Sequence, residues 1–224
     1  MDLRRRPMLA IRQHFWTFVL FASMHSLAGA QTSTDVGLNA RLLVAARNND
    51  LPVVNQMLAA GAHPDSRNRL GKTVLLTACE RGDAAMAQAM LYAGADVNLA
   101  ALSKVTPLMA AAHVGQVALV KALLARGARI DSLDQVHKPA IVYAAGQGHT
   151  EVVRLLLEAG VPAEVVYDND LTALMWAAAY GHSQTVALLL EKGADRKRRD
   201  NRGKSAFDMA REGGYAEVAR LLER

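Results

Sequence analysis

A glycine recurs every 33 residues, at Gly61, Gly94, Gly127, Gly160 and Gly193. A second series, Gly82, Gly115, Gly148, Gly181 and Gly214, runs in register with it. A fixed period of this length belongs to a solenoid of stacked supersecondary units, not to one globular core. Such stacks seldom enclose a catalytic pocket; they present a long surface to a partner.

The chemistry within each period can be read directly. Thr73, Thr106, Thr172 and Ser205 stand where a hydroxyl caps the first helix of a unit. Pro107 suits the first helical position, where no N–H partner is required. The small pairs Ala45-Ala46, Ala111-Ala112, Ala144-Ala145 and Ala177-Ala178 let helices of adjacent units approach closely. The Gly82 series permits a tight reversal with φ > 0. Apolar residues such as Val153, Leu156 and Leu157 fall at helical spacing in the second helix. The Gly61 series then ends that helix in a left-handed cap. No unit is large enough to bury its own apolar face, so the stack needs caps at both ends. The first unit, from Asp35, lacks the Thr and has Asn49 at the turn glycine, and reads as a degenerate N-terminal cap. The more polar last unit, ending in Leu221-Leu222-Glu223-Arg224, reads as the C-terminal one.

Three segments carry a family resemblance: Leu171-Thr172-Ala173-Leu174-Met175-Trp176-Ala177-Ala178, Gly148-His149-Thr150-Glu151-Val152-Val153-Arg154-Leu155-Leu156-Leu157 and Gly193-Ala194-Asp195. They resemble the T-P-L-H-x-A-A, G-H-x-E-V-V-x-L-L-L and G-A-D-V-N signatures of the ankyrin repeat family, over the whole stretch from Asp35 to Arg224. The resemblance implies an all-α repeat fold: an ankyrin solenoid of about six helix-turn-helix units joined by finger-like β-hairpin loops. The units would lie near 35–67, 68–100, 101–133, 134–166, 167–199 and 200–224, within a repeat domain spanning 31–224. The family's T-P-L-H histidine is absent throughout, replaced by Leu76, Met109, Val142, Met175 and Asp208. The unit 134–166 departs most, with Pro139 in place of Thr and Val161-Pro162-Ala163 after its second helix. It is expected to be the least regular unit and a weak joint.

Residues 1–30 stand outside the repeats. Arg4, Arg5, Arg6 and Arg12, an apolar run from Phe15 to Ala22 and the closing Ala28-Gly29-Ala30 are the three parts of a secretory signal peptide. The apolar run falls well short of the roughly 20 residues needed to span a bilayer. Cleavage is expected after Ala30, with no membrane insertion afterwards. Export to a periplasm is the expectation, secretion the alternative. The segment's four Arg and one Asp carry +3 of the chain's net +5, leaving +2. The basic character is therefore mostly a targeting feature, and nucleic-acid binding is not expected. Cys79 is the single cysteine, so an intramolecular disulfide is impossible and stability must come from packing.

Catalytic signatures are missing. No H-E-x-x-H, C-x-x-C, G-x-S-x-G, P-loop or dinucleotide fingerprint occurs. His63, His113 and His137 have no second histidine at helical spacing, and His149 and His182 follow turn glycines, where a structural role is expected. Cys79 reads as a packing residue. The chain is expected to be non-enzymatic, without cofactor or metal. The run Arg196-Lys197-Arg198-Arg199 reads as a solvated finger.

In the family, partners touch the finger tips and the concave ends of the first helices. Carried onto this chain, those positions place Leu102, Val105, Val114, Leu133, Val136, Val166, Tyr167, Leu171 and Tyr180 at an apolar centre. Arg69 and Arg81 on one side and Arg199 on the other form a basic rim. An apolar centre with a charged rim is the anatomy of a protein interface, with Tyr167 and Tyr180 as anchors. The expected function is a monomeric, non-catalytic module that binds another protein in an exported compartment. The alternatives are an inhibitor or immunity protein for a periplasmic enzyme or toxin, and a secreted effector acting on a host protein.

Overall fold

The computed structural model describes residues 37–223. The segment read as a signal peptide, and its cleavage site, lie outside the described residues. Among the described residues, twelve α-helices follow one another in antiparallel pairs. The first pair is α1, over residues 37–47, with α2 (Leu51–Ala59). The next are α3 (Val74–Arg81) with α4 (Ala84–Tyr92), α5 (Pro107–Val114) with α6 (Val117–Ala125), and α7 (Ala140–Gly146) with α8 (Thr150–Glu158). The last are α9 (Ala173–Ala179) with α10 (Ser183–Glu191), and α11 (Ala206–Glu212) with α12 (Ala216–Glu223).

Local chemistry sets these boundaries. The hydroxyls of Thr73, Thr106, Thr172 and Ser205 accept from the N–H groups of Leu76, Met109, Met175 and Asp208 at 3.1 to 3.3 Å, and so start α3, α5, α9 and α11. The second helices α2, α4, α6, α8 and α10 each stop in a Schellman motif. In α8 the N–H of Gly160 bonds the Leu157 carbonyl and that of Val161 the Leu156 carbonyl, each at 3.0 Å. Where the Gly82 series is missing, Asn49 takes the left-handed conformation instead, at φ 59°.

The core repeats as the sequence does. Leu42, Leu75, Leu108, Ile141 and Leu174 form one column of buried side chains, 33 residues apart, and Met57, Met90, Leu123, Leu156 and Leu189 form another. Alanines 111, 112, 144, 145, 177 and 178 are fully buried between first helices. Leu76, Met109, Val142 and Met175, at the missing histidine position, are buried too, so apolar packing stands where a polar network was in doubt. Cys79, in register with Ala112, Ala145 and Ala178, is wholly buried, and burial, with the nearby Glu80 carboxylate, pushes its thiol up to about 12. Native protein at neutral pH is therefore expected to resist thiol reagents, and labelling should proceed at the rate at which the second unit opens. Rapid stoichiometric labelling of the folded chain would contradict that burial.

The fingers depart from the hairpin expectation. No strand forms among the described residues, and one isolated bridge, Arg199 to Ser205, is the closest approach to a ladder. Each finger is instead a closed five-residue turn. The N–H groups of Asn68, Ala101, Asp134, Tyr167 and Asp200 bond the carbonyls of Lys72, Val105, Lys138, Leu171 and Lys204 at 2.8 to 3.2 Å. In three of them the first side chain also holds the turn. Asn68, Asp134 and Asp200 each accept two N–H groups, from the third and fifth residues of their turns. Five residues suffice for such a turn but leave no length for paired strands.

Two ladders of bonds tie unit to unit, and both break at the same place. At the tips, Leu102 N–H donates to the Leu70 carbonyl, Gln135 to Ser103 and Asn201 to Asn169. Between Val136 and Asp168 there is no such bond; His137 Nδ1 meets Asp168 Oδ2 at 2.6 Å instead. Below the tips, Asp96 N–H donates to Asp65, Arg129 to Asn98 and Asp195 to Glu164. The equivalent donor to Asp131 is residue 162, a proline without an N–H. Pro139 also leaves α7 without a side-chain cap. Amides of α7 and α8 are accordingly expected to exchange faster than those of α5 and α9. Uniform protection across these helices would remove the weak joint.

Candidate protein-binding surface

Finger tips and first helices share one face of the stack. Several exposed apolar groups gather there: Leu102 is 67 % exposed, Val136 60 %, Leu133 42 % and Tyr180 53 %, whereas Tyr92, at 79 %, stands apart at the end of α4. Leu70, at the tip of the first described finger, and Val44, on α1, extend the stripe toward the N-terminus, which the sequence reading missed. Val105, Tyr167 and Leu171 sit lower, partly buried and packed against the core. Burial holds the Tyr167 phenol above its ordinary range. Tyr167 therefore braces a finger and offers little surface as an anchor. Val114 and Val166 are half-buried.

The basic rim is partly spent inside the stack. Arg81 Nη1 donates to the carbonyls of Ala46 at 3.1 Å and Arg47 at 3.3 Å, closing the end of α1. Arg199 Nη1 reaches the Gly203 carbonyl at 2.6 Å and Asp208 Oδ2 at 3.3 Å. Arg69 remains exposed. Beside Arg199, Asp200, whose side chain is fully buried, accepts from Arg202 Nε at 2.9 Å and Nη2 at 2.7 Å, besides its two backbone bonds. Burial opposes ionisation of Asp200, but those bonds and the Arg202 charge outweigh it and hold the carboxyl below its ordinary 3.8. Asp208 is lowered too, by the Ser205 N–H and hydroxyl and then by Arg199.

A folded value below the unfolded one stabilises fully above the ordinary carboxyl value and is lost as pH falls through the lowered one. The Tm deficit of Asp208→Asn is therefore expected at neutral pH and should shrink as pH falls below the ordinary carboxyl value. A deficit independent of pH would refute the assignment.

The centre of the face is aromatic. Trp176 on α9 and Tyr180 at its end stack with ring centroids 6.0 Å apart and planes 12° apart. Lys138 lays its ammonium 4.1 Å from the centroid of Trp176. Tyr143 on α7 meets His113 edge-on at 5.7 Å and donates its hydroxyl to Asp134 Oδ2 at 2.5 Å. Burial first, then that bond and the carboxylate's charge, raise the Tyr143 phenol. Two clefts flank the Trp176–Tyr180 wall. One, of about 250 Å³, is lined by His113, Lys138, Tyr143, Gln147 and the wall itself. The other, of about 300 Å³, is lined by Leu171, Met175, Ala179, Arg202, Met209 and the same wall.

Of the residues named from sequence, Tyr180 and Leu171 line these clefts. Trp176, Tyr143, His113 and Lys138 were missed as partner contacts. A signal for two of them lay in the repeat register: the column Thr77, Ala110, Tyr143, Trp176, Met209 turns aromatic only at its middle.

A family model described as ankyrin repeats (3 copies) matches residues 42–134 and again 141–223. The chain belongs to the ankyrin repeat family. No match was found among curated proteins. Ankyrin repeats serve as protein–protein interaction modules, and catalysis is not their usual role. Among the described residues of this ankyrin stack, no three His, Cys, Asp or Glu side chains converge as a metal site. No described helix is long and apolar enough to cross a membrane.

Proposed function

We propose that this ankyrin-repeat chain is a monomeric, non-catalytic module that seats one partner protein on its finger-tip and first-helix face. The supporting observation is the set of Leu70, Leu102, Val136 and Tyr180, exposed one in each of four neighbouring units and flanking the aromatic clefts. A contiguous apolar patch rimmed by charge marks an interaction site, and aromatic side chains beside desolvated pockets are the usual source of binding energy. The basic n-region, short apolar run and Ala28-Gly29-Ala30 support the reading that the module works in an exported compartment after cleavage before Gln31.

Cross-linking capture from an envelope extract of the source cell tests the reading. The wild-type chain is compared with a Leu102→Ala, Val136→Ala, Tyr180→Ala variant, whose side chains are exposed and whose fold is checked by circular dichroism. A partner held by the first and lost by the second supports the face. Equal capture overturns it. N-terminal sequencing of the protein from fractionated cells tests export; an intact leader in the cytosolic fraction refutes it.

A further inference from the structure

The repeat register exposes an anomaly at Lys138. Lys72 and Lys204 occupy the same place in their fingers, and each is neutralised by a glutamate eight residues on. Lys72 Nζ lies 2.8 Å from Glu80, and Lys204 Nζ lies 2.6 Å from Glu212. At the middle unit the cation is kept and the acid is gone, because residue 146 is glycine. Among the described residues no carboxylate pairs with Lys138. The nearest acid of its own finger, Asp134, is buried and already committed to the Val136 and Lys138 N–H groups and the Tyr143 hydroxyl. The Trp176 ring fixes one side of the ammonium. A cation–π contact uses one face of the group and leaves further N–H donors directed outward.

We propose that the first cleft receives a carboxylate side chain of the partner protein, bound by Lys138, and that the second cleft receives an apolar side chain of the same segment. This rests on the reading of the face as a protein-binding surface and specifies its chemistry. Charge complementarity argues for the acid, since the site is built like its two neighbours with the anion left for another chain to supply. The second cleft argues for the apolar residue: Leu171, Met175, Ala179 and Met209 line it, and Arg202 at its edge is already engaged by Asp200. The two clefts lie on either side of α9, so their centres are about one helix spacing, roughly 10 Å, apart. A polyproline II segment rises about 3.1 Å per residue and completes a turn every three, so residues i and i+3 point to the same side. The recognised pair is therefore an acidic and an apolar residue three positions apart.

Trp176 supplies the readout. In a Trp16→Phe version of the full chain it is the sole tryptophan, and it touches both clefts. Blocked peptides Glu-Ala-Ala-Leu and Gln-Ala-Ala-Leu, in both orders, are titrated at millimolar concentration while its fluorescence is followed. One glutamate peptide is expected to bind about fivefold more tightly than its glutamine counterpart, with a preference that falls as salt rises. Lys138→Gln should abolish the preference, and Lys121→Gln, on the outer helix α6, should leave it intact. Equal binding of the two peptides, no response to either, or a preference that survives Lys138→Gln would overturn the assignment. Any of these outcomes with partner capture still lost in the exposed triple variant would overturn only the chemistry assigned to the clefts and leave the binding face standing.

Discussion

Gly148→Ala is expected to lower stability by about 3 kcal/mol, a fall in Tm of roughly 10 °C for a chain of this length. Two costs add. Gly148 sits at φ 74°, where a Cβ costs about 1–2 kcal/mol. The new methyl would also stand 2.5 Å from Nδ1 of His182, whose ring lies flat over the turn from the next unit. The ring must move, and its bond to the Gly146 carbonyl, 2.9 Å at Nε2, goes with it, at about 1 kcal/mol. Gly127→Ala is the control. Its φ is 79°, yet nothing lies within 4 Å of the added atom, so only the backbone cost of about 1 kcal/mol is expected. The gap between the two variants measures what inter-unit packing contributes at the turn. Equal losses in chemical denaturation would show that His182 yields freely.

Asp134→Ala should be as damaging, and its effect should reach the binding face. The carboxylate holds two backbone N–H groups of its finger at 2.9 and 2.8 Å and the Tyr143 hydroxyl at 2.5 Å. Removing it strands three donors, at a cost of about 3 kcal/mol. It also frees the finger that carries Lys138 and Val136, so partner capture should fall with stability. Asp134→Asn separates the two roles. Asn68 already performs the backbone task with an amide oxygen, so this variant should keep the finger. It loses only the charge on the Tyr143 bond, about 1 kcal/mol. Denaturation curves for the two variants that coincide would mean the charged bond, not the turn, is what Asp134 supplies.

These two sites differ in how far the sequence announces them. The turn glycines, the Thr and Ser caps and the buried columns follow from a 33-residue period and from short-range rules: φ > 0, an orphan N–H, an apolar stripe. All act within one unit, so one unit's sequence suffices to place them. The irregularity of the unit 134–166 was legible for the same reason, since Pro139 and Pro162 remove a cap and a donor wherever they stand. The finger form was not. Hairpin strands need two extended partners of some length, and five-residue turns closed by Asn68, Asp134 or Asp200 satisfy the backbone without them. The spending of Arg81 on the carbonyls of Ala46 and Arg47 was equally hidden, because its partners lie 34 and 35 residues back. The same holds for the seating of Lys138 on Trp176 and for the sinking of Tyr167 toward the core. Sequence alone determined the repeat and the chain's membership of a binding-module family. Tertiary structure decided which of the nominated side chains remain exposed, because neighbours about one period apart in the chain become neighbours in space only once the units stack.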